Sequence, residues 1–587
     1  MPTVRIPLVG SFNQRGIAGN AALVLNEDQR FLNCAFDVVQ NPVTQKAVVY
    51  VEKRQGWAID TLVEAGSVST GLIKPQAFNA TLSAFGANNS TVYVGSISVG
   101  AITGLALHFT ETLISNVAYV MIKSSDGTGW YYVDGAKDQT AYTGDTHTNT
   151  TIDGIASTAG MYSGQVIAGT NIVAGTRILS VDSANAITTD TATTGTATVA
   201  ITKTPIAKIL DAQFVTTGTS ISAFSEMDGY LFYTNTDGYI RNSDLNSVIS
   251  YTAANQLAVQ MSPDPPVAVA RHKNNIIVLG GASKEVFYNA GLASGSPLQR
   301  QPQFFDRIGC LNQRSVTVLE NEIFFVATPY EGDIGVYRIR ELQAQRISTP
   351  HVDTIMGTIS ASGGAIYASS FRMGGYPYAA FFCSLASDVD TDSLLLESGD
   401  IILLESADYI LLEGGSVQTA SYVRTMVYNA TLNIWSEWDA SEATFIDSTG
   451  SGTSNQVIAT SRSETGGYVY TINPVANGDV YRDAGAAYSL EIRTARIDHG
   501  SGKKKYIEEI KLIGDRQSAG TATLECNDDD YESSSWVTLG TFDLTSMDPR
   551  ITRCGAYHGG RAYRLTHSYN GPFRAEALEI TYRTGIS

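Results

Sequence analysis

The sequence predicts an all-β protein whose main body is a β-propeller of roughly six to eight blades. Segments 227–233, 273–279 and 320–326 each place a turn before a short apolar strand. The reference residues of this pattern are Asp228, Asn274 and Asn321. They lie 46 and 47 positions apart. A period of roughly 40 to 50 residues filled with strands and turns suits one four-stranded blade.

Composition and length support a large β protein with several domains. The chain has 587 residues, well beyond the roughly 250 to 300 at which a single core stops growing. Charged residues make up 16%, and 54 Gly and 30 Tyr accompany only 16 Pro, which favours strands joined by glycine turns over disorder. We expect helix to be a minor component.

The N-terminal region predicts an irregular arm followed by the beginning of the propeller. Residues 1–40 lack a clear pattern, and the first strand begins at 48–51, within a first propeller segment that covers residues 41–137. Further predicted strands cover 90–99, 118–123 and 130–133. A turn at Ser125, Asp126 and Gly127 fits a hairpin between the last two strands.

An inserted domain is predicted over residues 138–204, where the chain becomes rich in Thr, Ala and Gly and poor in aromatics. Polar and apolar residues alternate at 164–169, 175–181 and 186–188. These strands predict a small, exposed β module, and its removal should leave the propeller folded.

A second insertion, residues 386–417, follows the second propeller segment, residues 205–385. It repeats Leu-Leu-Glu every eight residues, ending at Glu397, Glu405 and Glu413, and predicts a short strand meander. Its turns carry acidic residues, Asp400 and Asp408. The acidic turns could hold calcium, but no recognised calcium-loop spacing is present, so solvated charges are the favoured interpretation.

The rest of the chain predicts a third propeller segment at 418–485 and a C-terminal β-sandwich at 486–587. Blade strands are indicated by the segments 422–428, 435–438, 467–470 and 479–481. Sandwich strands are indicated by the segments 507–512, 522–526, 561–566 and 577–582.

Charge argues against a conventional nucleic-acid binder. Lys and Arg number 39 against 57 Asp and Glu, so the net charge of −18 repels phosphate on average. The one basic run, Lys503 to Lys505, precedes a strand and is best explained as its solvated start, with nucleic-acid contact as the alternative. Residues 1–16 do not form a secretory signal, and the apolar stretch 96–109 is too short to span a membrane.

Motifs for catalysis, cofactors or metals are missing from the sequence. The five Cys residues form no CxxC pair and predict buried free thiols in a protein made in the cytoplasm. The seven His residues form no zinc-binding spacing, and no GxSxG motif occurs. We therefore predict no enzyme, no cofactor and no metal, and no catalytic residue is assigned.

Two enzyme or binding alternatives remain open. The acidic segment 527–536 is similar to the Asp-containing turns of sialidase propellers, but we interpret it as a turn, and no spacing selects a carboxylate pair for glycoside hydrolysis. Aromatic residues could form a platform for binding a sugar. Their positions follow the strand alternation and the repeat, however, which favours a place in the core of the blades. These aromatics are Tyr230, Phe232, Phe324, Phe325, Trp435 and Trp438.

Several segments resemble the packaged-DNA stabilisation proteins of short-tailed bacteriophages, also called tail hub or nozzle proteins. In the middle of the chain, the resemblance rests on segments 283–291, 307–310, 335–338 and 345–349. Towards the ends, it rests on segments 31–34, 41–43, 53–56, 435–438 and 561–566. It is lost at about 138–204 and 386–417.

The resemblance implies a virion tail protein assembled in the cytoplasm of the host bacterium. It implies a homo-oligomer, a hexameric ring below the portal and adaptor, that extends the DNA channel and docks fibres, spikes or a needle. Duplex DNA would pass without specific binding, which suits an acidic wall. Channel-lining and docking residues stay unknown from the sequence. The alternatives are a receptor-binding or glycan-degrading tail protein and a cellular propeller adhesin.

Overall fold

The computed structural model shows an almost entirely β-stranded protein, as predicted. It describes residues 2–9, 30–40, 47–63, 69–74, 84–87, 89–133, 141–214, 221–292, 294–384, 423–439, 443–448, 457–461, 468–472, 480–499, 502–528 and 536–585. The one α-helix within these ranges is Pro350–Ala361, accompanied by short 3₁₀ turns at Pro302–Phe304 and Gln313–Ser315.

Seven four-stranded antiparallel units follow one another within the described residues, and we number them blades 1 to 7. Blade 1 contains Ser69–Ile73, Ala84–Ala87, Thr91–Val94 and Ile97–Ala101. Blade 2 contains Ala106–Ile114, Val117–Ser124, Gly129–Val133 and the end of Thr196–Lys208. Blade 3 contains Ser225–Met227, Tyr230–Thr234, Tyr239–Asn242 and Gln256–Ala258. Blade 4 contains Pro266–His272, Asn275–Gly280, Lys284–Asn289 and Leu298–Arg300.

The remaining blades complete the ring. Blade 5 contains Val316–Leu319, Glu322–Pro329, Gly335–Arg340 and Gln343–Arg346, and Ile308–Cys310 pairs with its second strand. Blade 6 contains Ala365–Met373, Tyr376–Ser384, Val423–Asn429 and Ile434–Asp439. Blade 7 contains Ala443–Ser448, Val457–Ser461, Tyr468–Ile472 and Trp57–Leu62. Tyr93 of blade 1 packs on Val469 of blade 7, which closes the circle.

The sequence repeat marks one tight turn between the first and second strands of successive blades. Backbone φ is positive at Asp228, Lys273 and Glu320, the conformation that primed hairpin turns require. Ser115 and Gly374 occupy the equivalent turns of blades 2 and 6, also with positive φ. The second strands are apolar on both faces because each blade is covered by neighbours on both sides.

The module inserted between the third and fourth strands of blade 2 is a small closed barrel. Its strands are Tyr142–His147, Thr151–Asp153, Gln165–Gly169, Ile178–Ser183, Ala186–Thr189 and Thr196–Lys208. A bridge between Val166 and Arg177 joins the third and fourth of these, and isoleucines dominate the core. Strand Thr196–Lys208 continues from the barrel into blade 2, where Ala207 pairs with Tyr131.

A β-sandwich forms from both ends of the described chain. Its first sheet contains Thr3–Pro7, Cys34–Gln40, Ala47–Lys53, Lys505–Gly514, Arg550–Thr552, Ala556–Tyr557 and Arg574–Thr584. Its second sheet contains Arg30–Leu32, Leu490–Arg493, Ala562–His567, Thr521–Asn527 and Val537–Asp543. Residue Leu32 also pairs with Glu437 of blade 6, so this second sheet is continuous with a propeller blade. A two-stranded hairpin, Arg482–Asp483 with Ala486–Ala487, precedes it.

Two expectations for the N-terminal region are wrong. The predicted irregular arm, residues 1–40, contains strands at Thr3–Pro7, Arg30–Leu32 and Cys34–Gln40. Strand Ala47–Lys53 pairs with the C-terminal Arg574–Thr584 strand and therefore belongs to the sandwich, not to the propeller. Both Thr3–Pro7 and Ala47–Lys53 pair with Arg574–Thr584, which lies over 500 residues away in the sequence. A local sequence pattern cannot indicate such a distant partner strand.

Smaller differences are local. The predicted strand 90–99 is two strands, Thr91–Val94 and Ile97–Ala101, because Gly95 turns the chain with positive φ. The predicted hairpin around Gly127 is confirmed. All five Cys residues are buried free thiols, also as predicted. The Leu-Leu-Glu insertion and its acidic turns lie outside the described residues. The domain boundaries themselves stay predictions.

Candidate functional site

The innermost strands of blades 1 to 6 surround an axial cavity of about 500 Å³. Charged or titratable residues in its wall are His108, Glu111, Glu226, Arg271 and Arg314. This volume falls in the range of small-molecule sites, roughly 300 to 1,000 Å³, and cannot hold duplex DNA.

Arg314 reaches across the ring axis at this cavity. Arg314 lies in the 3₁₀ turn before blade 5. Its guanidinium donates to the backbone carbonyl of Thr70 in blade 1 at 2.7 Å and stacks on the Tyr367 ring of blade 6, 4.0 Å from the ring centroid. One side chain therefore ties three blades together. A guanidinium suits this role because it can donate in its plane and stack through its face at once.

Neighbouring inner strands are also joined by side-chain to backbone hydrogen bonds. Thr110 of blade 2 donates to the carbonyl of Phe224 at 3.1 Å, and Ser370 of blade 6 donates to the carbonyl of Val318 at 3.0 Å. Gln313 accepts from the backbone N–H of Val269 at 2.9 Å. These bonds satisfy inner-strand groups that no further strand can pair, and they fix the dimensions of the cavity.

A charged cluster joins blade 6 to the sandwich around Glu437. Its carboxylate accepts from Arg30 at 3.0 Å and 2.5 Å, from His351 at 2.9 Å and from Arg424 at 3.1 Å. Burial acts to raise the pKa of Glu437, but the hydrogen bonds and the cationic partners outweigh it and lower that pKa to about 2. The carboxylate is therefore ionised at neutral pH and connects the helix, blade 6 and the N-terminal strand Arg30–Leu32.

A second cluster lies on the first sandwich sheet. Arg574 donates to Asp37 at 2.6 Å and to Asp515 at 2.8 Å, and it pairs with Glu52 at 2.6 Å. Its ring contact with Tyr50, 4.1 Å to the centroid, completes the site. The cluster connects N-terminal and C-terminal strands, so the sandwich depends on both.

Two basic side chains of the inserted barrel, Lys203 and Arg177, donate to backbone carbonyls of the same module. Lys203 donates to the carbonyl of Gly160, and Arg177 donates to the carbonyl of Gly164 at 2.7 Å while lying over the Trp130 ring. The carboxylates of the barrel are on the outside, where they accept from neighbouring hydroxyl, imidazole or backbone groups. The acidic residues are Asp145, Asp153, Asp182 and Asp190. The outer surface of the barrel is therefore acidic and rich in threonine.

Residues 207–367, which run from the end of Thr196–Lys208 through blades 3, 4 and 5 to the start of blade 6, match a family described as "Bacteriophage P22 Gp10, beta-propeller". This match supports the resemblance of the chain to the phage DNA-stabilisation proteins. The matched family is one of phage structural proteins, and its description confirms the predicted β-propeller, though not the number of blades.

Other comparisons add distant likenesses only. The chain is similar to the computationally designed Ika8 protein, with 13% identity, TM-score 0.31 and coverage of 71% of this chain and 100% of that one. It is also similar to a chain of the mitotic checkpoint complex, with 10% identity, TM-score 0.32 and coverage of 69% and 94%. A crystal structure of BBS1N in complex with ARL6DN shares 8% identity at TM-score 0.23, covering 53% and 75%. No curated protein sequence matches the chain.

The aromatic residues that the sequence offered as a sugar platform lie mainly in the core. Phe232, Phe324 and Phe325 are buried between blades, and Trp438 packs beside Trp57 of blade 7. Trp435 donates through its indole to the carbonyl of Ile347 at 2.9 Å. These aromatics form no open platform for a sugar.

The described residues of the basic run and of the acidic turn make contacts within the chain. Lys505 is buried and donates to the carbonyl of Gly559 at 2.9 Å, and Lys504 lies over the Tyr506 ring. Asp528 accepts two hydrogen bonds from Arg561, while 529–535 lie outside the described residues. Within the described chain, no helix is long and apolar enough to cross a membrane.

Sequence reasoning missed the axial residues altogether. His108, Arg271 and Arg314 stand in three different blades and share no spacing. One signal was available. His108 and Arg271 each lie in the first strand of a blade, and the repeat could have predicted that these first strands line the axis of the propeller.

Proposed function

We propose that this chain forms the tail nozzle, or hub, below the portal and adaptor of a short-tailed phage. Copies arranged as a hexameric ring would line the DNA channel, retain the packaged genome and dock fibres, spikes or a needle. The observation that carries the proposal is the family match over residues 207–367, the region of the chain with the most regular blades.

The closed axis of the propeller supports a particular arrangement of copies. The cavity of about 500 Å³ is crossed by Arg314, and the major groove of duplex DNA alone is about 12 Å wide. DNA would therefore run between copies packed side by side rather than through any single propeller. The bore would be an interface feature of the ring.

The distribution of charge supports a wall that repels DNA. Residues 486–587 contain thirteen Lys and Arg against fourteen Asp and Glu, so almost all of the net charge of −18 belongs to the first 485 residues. In a ring this charge multiplies by the number of copies, and phosphates near the wall would be repelled rather than held. We propose that the propeller and its insertions, rather than the sandwich, supply this wall.

The continuous connection between propeller and sandwich supports a mechanical role in the tail. One sheet runs from blade 6 through Arg30–Leu32 into the sandwich, with the Glu437 cluster at the seam. A component that holds DNA under pressure needs domains that do not shear, and a continuous hydrogen-bonded sheet resists shear.

The decisive experiment is DNA retention in phage particles assembled with this chain removed by a nonsense mutation. The nozzle role predicts heads that fill and then leak. Heads that stay full but fail to attach to cells, or fail to degrade surface glycan, would instead identify a receptor-binding or glycan-degrading tail protein. The matched control is the same mutation in a suppressor host, which should restore retention.

A second experiment tests the repulsive wall. Replacing exposed propeller carboxylates by the corresponding amides should slow DNA exit, most at low salt where charges are least screened. Unchanged ejection kinetics would contradict the proposal that the wall repels DNA. The nozzle role itself would still be tested by the retention experiment.

A further inference from the structure

The sandwich carries a basic corner at one end of its first sheet. The corner lies where strand Lys505–Gly514 begins and strand Arg574–Thr584 ends. Tyr506, which is 45% exposed, stands directly opposite Arg583 in this strand pair, so the two side chains point to the same face of the sheet. The Lys504 Nζ atom lies over the Tyr506 ring, 5.3 Å from its centroid. The basic residues of the corner are Lys503, Lys504, Arg553 and Arg583.

Neighbouring carboxylates balance the basic corner only in part. Glu508 pairs with Arg583 at 2.7 Å, and the two side chains keep 36% and 59% of their surface exposed. Asp498 is close enough to the neighbouring Lys505 to act on its charge. Arg553 is held beside Glu508 by a backbone hydrogen bond of 3.0 Å, and its side chain is exposed. The basic residues of the corner thus outnumber these two carboxylates, and an exposed aromatic ring lies among them.

The composition of the corner is that of a protein contact. Tyrosine and arginine are enriched at protein interfaces, where their flat groups supply both apolar surface and hydrogen-bond donors. Charge decides which partner fits, because a surface with an excess of cations attracts an acidic one. The whole chain has net charge −18, so two copies repel each other on average and can approach closely where one of them is locally basic.

One strand of the inserted barrel combines exposed aliphatic and acidic side chains. On strand Ile178–Ser183, Leu179 is 50% exposed and Val181 is 39% exposed. Asp182 is exposed beside them and accepts from two neighbouring hydroxyl groups, both at 2.6 Å. This strand therefore offers an apolar patch next to a carboxylate, which complements an aromatic ring flanked by cations.

The basic corner and the barrel lie on different sides of the propeller. The barrel is inserted into blade 2, whereas the sandwich continues the sheet of blade 6. One chain can therefore offer its basic corner to one neighbour and its barrel to another. A contact between two unlike surfaces joins copies head to tail, and it closes into a ring when the rotation between copies allows it.

We propose that the basic corner of one copy docks on strand Ile178–Ser183 in the barrel of the next copy. The ring of Tyr506 covers the exposed aliphatic pair, while Lys504 and Arg583 face Asp182. Burial of apolar surface supplies affinity, and the opposite charges fix the register of the contact. The inference rests on the proposed ring of copies and adds the two surfaces that hold neighbours together.

Sedimentation velocity of the full-length chain tests this contact. The unaltered chain should self-associate at low salt and dissociate as NaCl rises from about 0.1 M to about 1 M, because the screening length falls from about 10 Å to about 3 Å. Lys504→Glu combined with Arg583→Glu should weaken association at least about tenfold, and Asp182→Lys should weaken it too. Arg516→Glu is the matched control, because Arg516 is exposed beyond the far end of strand Lys505–Gly514 and should leave association unchanged.

Mixing the altered chains gives the sharpest result. Chains with the reversed corner, Lys504→Glu and Arg583→Glu, and chains with Asp182→Lys should each associate poorly alone. They should associate with one another, because every contact in the mixture can again join opposite charges. Failure of the two folded variants to associate, undiminished association of the reversed corner, or a monomeric unaltered chain at every salt concentration would overturn the proposal. If a variant does not fold, self-association of the unaltered chain that does not respond to salt would do so.

Two further outcomes separate this contact from other functions. If the reversed corner keeps self-association but loses binding of a duplex oligonucleotide, the corner contacts nucleic acid and the proposal is wrong. If the reversed corner abolishes association while particles without the chain still retain DNA, the contact stands and the nozzle role fails.

Discussion

Arg54 and Asp483 form a buried ion pair at the junction of the sandwich and the propeller. The Arg54 guanidinium is fully buried and donates to the Asp483 carboxylate, with Nη1 2.9 Å from Oδ1. The same carboxylate oxygen accepts from the backbone N–H of Trp57 at 3.0 Å, and Arg54 Nε donates to Asn33 at 3.0 Å. Arg54 follows the sandwich strand Ala47–Lys53 directly, so the pair fixes the chain where it leaves one domain for the other.

Replacing Arg54 by Met should destabilise the protein strongly. Removing one partner of a buried pair leaves an uncompensated charge, which costs about 3 to 5 kcal/mol. Chemical unfolding followed by tryptophan fluorescence would measure the loss. Arg550→Met is the matched control, because Arg550 is half exposed and its ion pairs should contribute less than about 1 kcal/mol. Equal losses in both variants would contradict the central role of the buried pair.

The stability of the protein should fall at acidic pH because of Glu437. Its pKa falls from 4.5 to about 2 on folding, so its ionised form stabilises the protein above pH 4.5, and this contribution is lost as pH falls towards 2. The shift corresponds to about 3 kcal/mol. Glu437→Gln should lose that stability at neutral pH and show a shallower acid dependence. Glu508→Gln, which alters a more exposed carboxylate, should keep the acid dependence of the unaltered chain.

Blade 7 should fail to close when Trp57 is truncated. Trp57 stands at the start of the N-terminal strand that completes this blade, and it packs with Trp438 of blade 6. Trp57→Ala should destabilise the protein by about 3 to 5 kcal/mol, whereas Trp57→Phe should cost less because it retains most of the packing. Limited proteolysis should show faster cleavage of the alanine variant. Identical digestion patterns for both variants would argue that the strand does not hold the ring closed.

Deleting the inserted barrel should leave the propeller folded. The barrel has its own core, which consists mainly of isoleucines. A variant in which a short Gly-Ser linker replaces residues 140–203 lacks this whole core and should not disturb the core of the propeller. Ile206 and Ala207 must stay because they pack in the propeller core. Calorimetry should still show cooperative unfolding, and its loss would place the barrel in the folding unit of blade 2.

The sequence by itself determined the architecture of the repeating region. Asp228, Asn274 and Asn321 mark tight turns whose spacing follows from one blade per period, and the apolar second strands follow from burial on both faces. Glycine and threonine enrichment likewise marked the inserted module. These are local signals, readable because turns and alternation involve neighbours in the chain.

Only the tertiary structure decided how the ends meet and what lies at the axis. Strand Ala47–Lys53 pairs with Arg574–Thr584, and strand Trp57–Leu62 completes blade 7, because backbone edges find partners that no local pattern specifies. His108, Arg271 and Arg314 gather at the axial cavity for the same reason. These residues come from different blades, so the cavity exists only after the ring has closed.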